Sequence, residues 1–167
     1  DIKVRVTRRE FGSNGEKRCF CAGRRASLFA EFWNKTTPLL WLDADSLIRR
    51  SCKELAELLS SCDITMRQKG GKHFASGTIG VGTSDVCKEL TLKYEEYVNA
   101  DHTWMSDQHN LNRVWEEFHK RIRFVALPHT YCDVWLSEEG AIWAAKSKKK
   151  NSKKYVHELN MFIQNTV

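Results

Sequence analysis

The chain has 167 residues, 41% hydrophobic and 29% charged, and its eight Phe, six Trp and four Tyr suit one packed domain and exclude a disordered or collagen-like chain. Its apolar runs stop at four or five residues, too short for a bilayer-spanning helix, and no basic start leads into an apolar stretch as in a signal peptide. The net charge of +6 is local: residues 146–154 read KSKKKNSKK with six Lys, and the rest of the chain balances 21 basic against 21 acidic residues.

In chain order, residues 2–6 (IKVRV) alternate as a half-exposed strand does, and Gly12-Ser13-Asn14-Gly15 reads as a turn. Glu16 to Trp33 has helical periodicity, with Phe20, Leu28, Phe29, Phe32 and Trp33 as candidate core positions. Pro38 leads into LLWL, a short run of the kind found in strands buried on both faces, which ends at Asp43-Ala44-Asp45. Ser51-Cys52-Lys53-Glu54 has the capping-box pattern and predicts a helix with Leu55, Leu58, Leu59 and Cys62 on its apolar stripe. DITMR (63–67) and GTIGV (77–81) read as strands around a Gly- and Lys-rich loop. A helix is expected from Ser84 or Asp85 to about Asn99, its inner face Val86, Leu90, Leu92 or Tyr94, and Tyr97, and another over residues 106–120 with Leu111, Val114, Trp115 and Phe118 buried. Residues 122–127 read as a strand stopped by Pro128, residues 131–135 as a possible further one, and residues 155–163 as strand or helix. Strands alternating with helices predict an α/β fold, a mostly parallel central sheet with flanking helices in three α/β/α layers, forming a single domain over residues 1–167.

The feature most informative for chemistry is a pair of carboxylates, Asp43 and Asp45, just past the end of an apolar strand. In open α/β sheets ligands bind outside the carboxyl ends of strands, and carboxylates there hold Mg²⁺ or Mn²⁺ and share those ions with phosphates. A cap and a solvated acid would leave the same spacing.

LLWLDADSLI, followed by a helix and the strand DITMR, resembles the central segment of metal-dependent nucleotide-sugar glycosyltransferases of the type A fold. Two further motifs follow in the same order. Phe74-Ala75-Ser76-Gly77-Thr78 resembles the family's F-N-S-G segment, with Ala75 where Asn is common, and Asp107-Gln108 with Leu111-Asn112 resembles its D-Q-x-x-L-N helix start. The resemblance spans residues 37–130 and implies a sugar transferase using a nucleotide-sugar donor and a carbohydrate, lipid or protein acceptor. It implies Asp43 and Asp45 at a Mn²⁺ or Mg²⁺ ion and the diphosphate, and Ser76, Gly77 and Gln108 at the donor. A late His completes the metal shell in several members, for which His157 is preferred over His129. Asp107 is the candidate base for the acceptor hydroxyl in an inverting enzyme, or a substrate-positioning acid in a retaining one; as a structural residue it would be a first-turn helix acid. Only 42 residues precede Asp43, so the base-binding part is expected to be reduced or to lie elsewhere.

Around this centre, Lys72 and His73 either touch phosphate or belong to a solvated loop. Arg24 and Arg25 either face a diphosphate or lie on a helix surface, and Trp104 is a candidate for stacking on sugar or base. The Lys146–Lys154 run is either a solvated segment or a contact for an anionic partner. The six Cys lack the density of a disulfide scaffold, which favours a reducing compartment and a cytoplasmic or membrane-peripheral protein; a zinc site from Cys19, Cys21, His129 and Cys132 is the weaker alternative. Two other functions compete: nucleotidyl or phosphoryl transfer at the same carboxylates, and a non-catalytic module binding a polyanion through the Lys run.

Overall fold

The computed structural model describes residues 10, 12–69, 73–101, 103 and 105–166; the strand expected over residues 2–6 lies outside them, as do Lys72, Trp104 and the side chain of His73. The first helix, α1 (Asn14–Phe32), begins where the turn was expected. Ser13 is its N-cap, its Oγ accepting from the Glu16 N–H at 3.1 Å, while the Glu16 carboxylate reaches back to the Gly12 N–H at 2.9 Å. Chain order continues with β1 (Leu39–Leu42), β2 (Ser46–Ile48), α2 (Lys53–Ser61), β3 (Ile64–Lys69), β4 (His73–Val81), α3 (Asp85–Ala100), α4 (Ser106–Phe118), β5 (Phe124–Ala126), β6 (Ile142–Ala144) and α5 (Lys153–Thr166).

The main sheet has the order β1-β4-β3-β5. Strands β1, β3 and β5 run the same way, but β4 lies antiparallel between β1 and β3, so only β3–β5 is a parallel pair. The expectation of a mostly parallel sheet is corrected here, and the cause is local. The Gly-Lys loop is so short that β3 and β4 form a hairpin, and a strand returning through a hairpin must pair antiparallel. A second, two-stranded antiparallel sheet joins β2 to β6, pairing Leu47 with Trp143. Three-residue strands carry too little periodicity to be read from sequence, and neither was expected.

Each face of the main sheet is covered. On one side Phe29 of α1, Cys87, Leu90 and Tyr94 of α3, and Leu111, Val114 and Phe118 of α4 pack on Ile64, Met66, Phe74, Ile79 and Val81. On the other, Leu55 and Leu59 of α2 join Leu127, Tyr131, Cys132, Ile142 and Ala144. This side is close-packed: a Cβ added to Gly80 would come within 2.0 Å of Leu59 Cδ2. Strand β1 is an edge strand with Leu40 exposed, not the doubly buried strand its composition implied.

Other local expectations shift for identifiable reasons. Ser51 does not box α2; its hydroxyl takes the Lys53 N–H at 3.4 Å and Cys52 is the N-cap, without a side-chain cap bond. Ser84 caps α3 in position only, because its hydroxyl donates to Asp63 Oδ1 at 2.7 Å. Tyr94, not Leu92, belongs to the inner face of α3, and Phe32 is exposed. The possible strand over residues 131–135 reduces to a single bridge between Asp133 and Trp143: a 3-10 turn over His129–Tyr131 leads into it, and Asp133 draws the chain round by accepting from the N–H groups of Trp135 and Ser137. The last segment is helix α5. No helix among the described residues is long and apolar enough to cross a membrane.

Candidate active site

The site forms where β1 ends. Asp43 follows its last residue and is tied across to β4 by its N–H, which donates to the Gly77 carbonyl at 2.9 Å. That carbonyl belongs to an irregularity in β4. Register with β3 jumps from Met66↔Ile79 to Arg67↔Ala75, leaving Ser76, Gly77 and Thr78 without partners on β3. A bulge of this kind re-aims side chains, and here it turns the FASGT segment toward Asp43. The absence of a side chain at Gly77 matters, because a Cβ there would lie 3.2 Å from Asp43 Oδ2 and 3.8 Å from Lys146 Nζ.

Helix α1 supplies the cation that organises the centre. Arg25 donates through one terminal nitrogen to Asp43 Oδ1 at 2.6 Å and through the other to Asp107 Oδ2, with all three side chains mostly buried. One guanidinium thus clamps two carboxylates from different elements, a role suited to its planar fork and permanent charge. Trp41 donates its indole N–H to the same Asp43 oxygen at 2.9 Å and lies under the Arg25 guanidinium, 5.1 Å from it. Asp107 sits in the first turn of α4, where the helix dipole favours an anion. The residue before that helix, Met105, has a left-handed backbone (φ 71°), a strained conformation for a residue with a side chain. Tyr94 braces the turn from below by donating its hydroxyl to the Asp107 carbonyl at 3.0 Å; burial pushes its phenol far above the usual range, so it stays a neutral donor.

Arg25, Asp43, Met105 and Asp107 line a cavity of about 630 Å³ with Asn14, Lys17, Cys21, Ser76, Gln108 and Lys146. A second cavity of about 710 Å³ shares Cys21, Arg25 and Asp43 with it and adds Trp41, Asp45 and Lys150. Asp43, Ser76, Asp107 and Gln108, expected from sequence to act together, therefore border one space, with Gly77 beside them and Asp45 in the adjoining one. Gln108 also has a scaffolding contact, donating to the Phe74 carbonyl at 3.3 Å where the bulge begins.

His157 is not brought to this centre. It is exposed on α5 and lines neither cavity. Asp45 faces Lys150, whose ammonium lies 2.5 Å from its Oδ2, and this contact raises the lysine pKa. By donor type, Asp43 and Asp45 suit a hard divalent ion. By arrangement they are engaged by Arg25, Trp41 and Lys150, and no group of three or more His, Cys, Asp or Glu is placed to hold a metal among the described residues. The set Asp43, Asp45 and His157 does not fit a resident ion as it stands, nor do Cys19, Cys21, His129 and Cys132 form a zinc site. Of the two arginines, Arg24 pairs with Glu31 and borders the second cavity, while Arg25 lies between Asp43 and Asp107.

Trp41 and Tyr94 escaped sequence reasoning because both sit in core periodicity. The tryptophan lies two residues before Asp43 on the same strand face, a signal that was available. Compared with known proteins, the chain matches no family model and no curated protein.

Proposed function

We propose that this domain is the core of a glycosyltransferase that takes a sugar from a nucleoside-diphosphate donor and delivers it to an acceptor hydroxyl. The observation that carries the reading is the convergence of Asp43, Arg25, Ser76 and Asp107 on one cavity of about 630 Å³, from a strand end, a helix, a bulge and a second helix. That volume is in the range of small-molecule sites, and its polar groups are few and convergent.

In the reaction, Asp107 accepts the proton of the acceptor hydroxyl as the acceptor oxygen bonds to the anomeric carbon. The bond from that carbon to the diphosphate oxygen breaks, and its electron pair leaves with the nucleoside diphosphate. Preformed cations beside Asp43 stabilise the charge that develops there. Arg25 holds Asp107 at the cavity wall through its second terminal nitrogen. Polyanion binding is less well supported, because Lys146, Lys149, Lys150 and Lys154 turn to the cavities, the Val134 carbonyl, Asp45 and Glu138.

Calorimetric titration of uridine-, guanosine- and adenosine-diphosphate sugars tests the reading. One donor class should bind, and Asp107→Asn should bind it without turning the donor over. A folded protein that binds none of them, with or without Mn²⁺, overturns it.

A further inference from the structure

The Lys run at 146–154 is divided by the fold into separate roles. It is pinned at both ends, by the fully buried Ala145 and by Tyr155, whose hydroxyl donates to the Asp45 carbonyl at 3.0 Å. Between them a 3-10 turn over Ser147–Asn151 is anchored as Lys149 donates its ammonium to the Val134 carbonyl and its N–H to the Lys146 carbonyl at 3.1 Å. The turn delivers two lysines to the site. Lys146 lines the first cavity, its Nζ 3.8 Å and Asp43 Oδ2 3.2 Å from where a Gly77 Cβ would sit. Lys150 lines the second and pairs with Asp45. Lys148 and Lys153 remain on the surface. Across the two cavities, three carboxylates (Asp43, Asp45, Asp107) face five cations (Lys17, Arg24, Arg25, Lys146, Lys150), of which Arg24 is paired with Glu31, leaving a surplus of positive charge.

We propose that Lys146 and Lys150 form the diphosphate-binding half of the donor site, so that a nucleoside diphosphate binds without a divalent metal. The inference rests on the glycosyltransferase reading and assigns the counter-charge within it. Lysine ammoniums bind phosphate as compact point charges, and two of them on adjoining walls match the two phosphates of the donor. Asp45 then acts as the resting counter-ion of Lys150, giving up the ammonium when phosphate arrives. A metal ligand would behave in the opposite way, and this opposition gives the test.

Uridine and guanosine diphosphate and inorganic pyrophosphate are titrated calorimetrically in EDTA and in Mn²⁺, with circular dichroism to verify folding of every variant. At least one nucleoside diphosphate should bind in EDTA. Lys146→Gln/Lys150→Gln should weaken it by at least about tenfold, while Lys148→Gln/Lys153→Gln leaves it unchanged. Asp45→Asn should keep or strengthen binding in EDTA by releasing Lys150. Binding seen only with Mn²⁺ and lost in Asp45→Asn overturns the proposal and leaves the glycosyltransferase reading standing. Equal weakening by the two lysine pairs overturns it as well, since that is general attraction to a basic segment. No nucleoside diphosphate bound under either condition defeats the reading on which it rests. Pyrophosphate binding alone has the same consequence.

Discussion

At the scale of single residues, Arg25 is the junction. Its removal in Arg25→Met leaves the mostly buried Asp43 and Asp107 without their shared cation, and breaking such a pair from one side costs about 3 kcal/mol. Urea denaturation should show that loss, and Arg25→Lys should recover only part of it because an ammonium cannot fork between two carboxylates. Gly77→Ala separates binding from stability. Its methyl would press on Asp43 Oδ2, so nucleotide-sugar binding should fall markedly while the urea midpoint moves little, the bulge being otherwise uncrowded there. How much of this was legible beforehand differs by residue. Asp43 and Asp107 stood out because a strand end and a helix start are marked in the sequence. The place of Arg25 was not fixed, since helix periodicity puts Arg24 and Arg25 on adjacent faces and only tertiary packing decides which one turns inward. The position of His157 depended on the course of the chain after Pro128, where three-residue strands and 3-10 turns leave no periodic signal.

At the scale of elements, the long helices were readable because apolar spacing persists over three or four turns in α3 and α4. Strand direction was hidden by the strand ends: facing patterns are the same for parallel and antiparallel pairs, and reading the strands as 63–67 and 77–81 lengthened the connection that, between Lys69 and His73, is a hairpin loop. Between β4 and the start of β3 the packing is close enough to test. A Cβ at Gly82 would come within 2.2 Å of the Cys62 carbonyl oxygen, a backbone atom that cannot swing away. Gly82→Ala should therefore destabilise the fold by about 1–3 kcal/mol, read as a lower urea midpoint with an unchanged m-value. Leu59→Ala, which empties the α2 side of the sheet at Gly80, should cost about 2–5 kcal/mol in the same assay.

At the scale of the whole molecule, two buried carboxylates remote from the site, Asp63 and Asp133, tie stability to pH on the acid side. Burial alone would raise the Asp63 pKa, but hydrogen bonds from Arg123 and Ser84 outweigh it and hold the group below its ordinary value. Asp133 is likewise lowered, its burial offset by Ser137 and by the N–H groups of residues 135–137. Both pKa values are depressed on folding. Their contribution is therefore complete above the unfolded carboxylate value of about 3.9 and is lost as pH falls through the folded values. Thermal unfolding followed from pH 7 to pH 2 should show a fall concentrated below about pH 4, and Asp63→Asn should flatten that fall while lowering stability at pH 7.

The irregularity in β4 has a consequence for how this chain can vary. Three residues are interposed between the two halves of the strand, an odd number, so the inward-facing positions are even-numbered before it (Phe74) and odd-numbered after it (Ile79, Val81). A regular strand places residues an even number apart on one face, yet Phe74 and Ile79 both face the helical side across an odd interval, so the bulge reverses the alternation once. Losing one residue from 76–78 would make that interval even, and plain alternation would then keep both on the same face without a bulge, whereas losing two would leave it odd and still require one. Natural relatives one residue shorter at this point should keep every core side chain on its own face along an unbroken strand, and in them the bulge that turns Gly77 toward Asp43 would be absent.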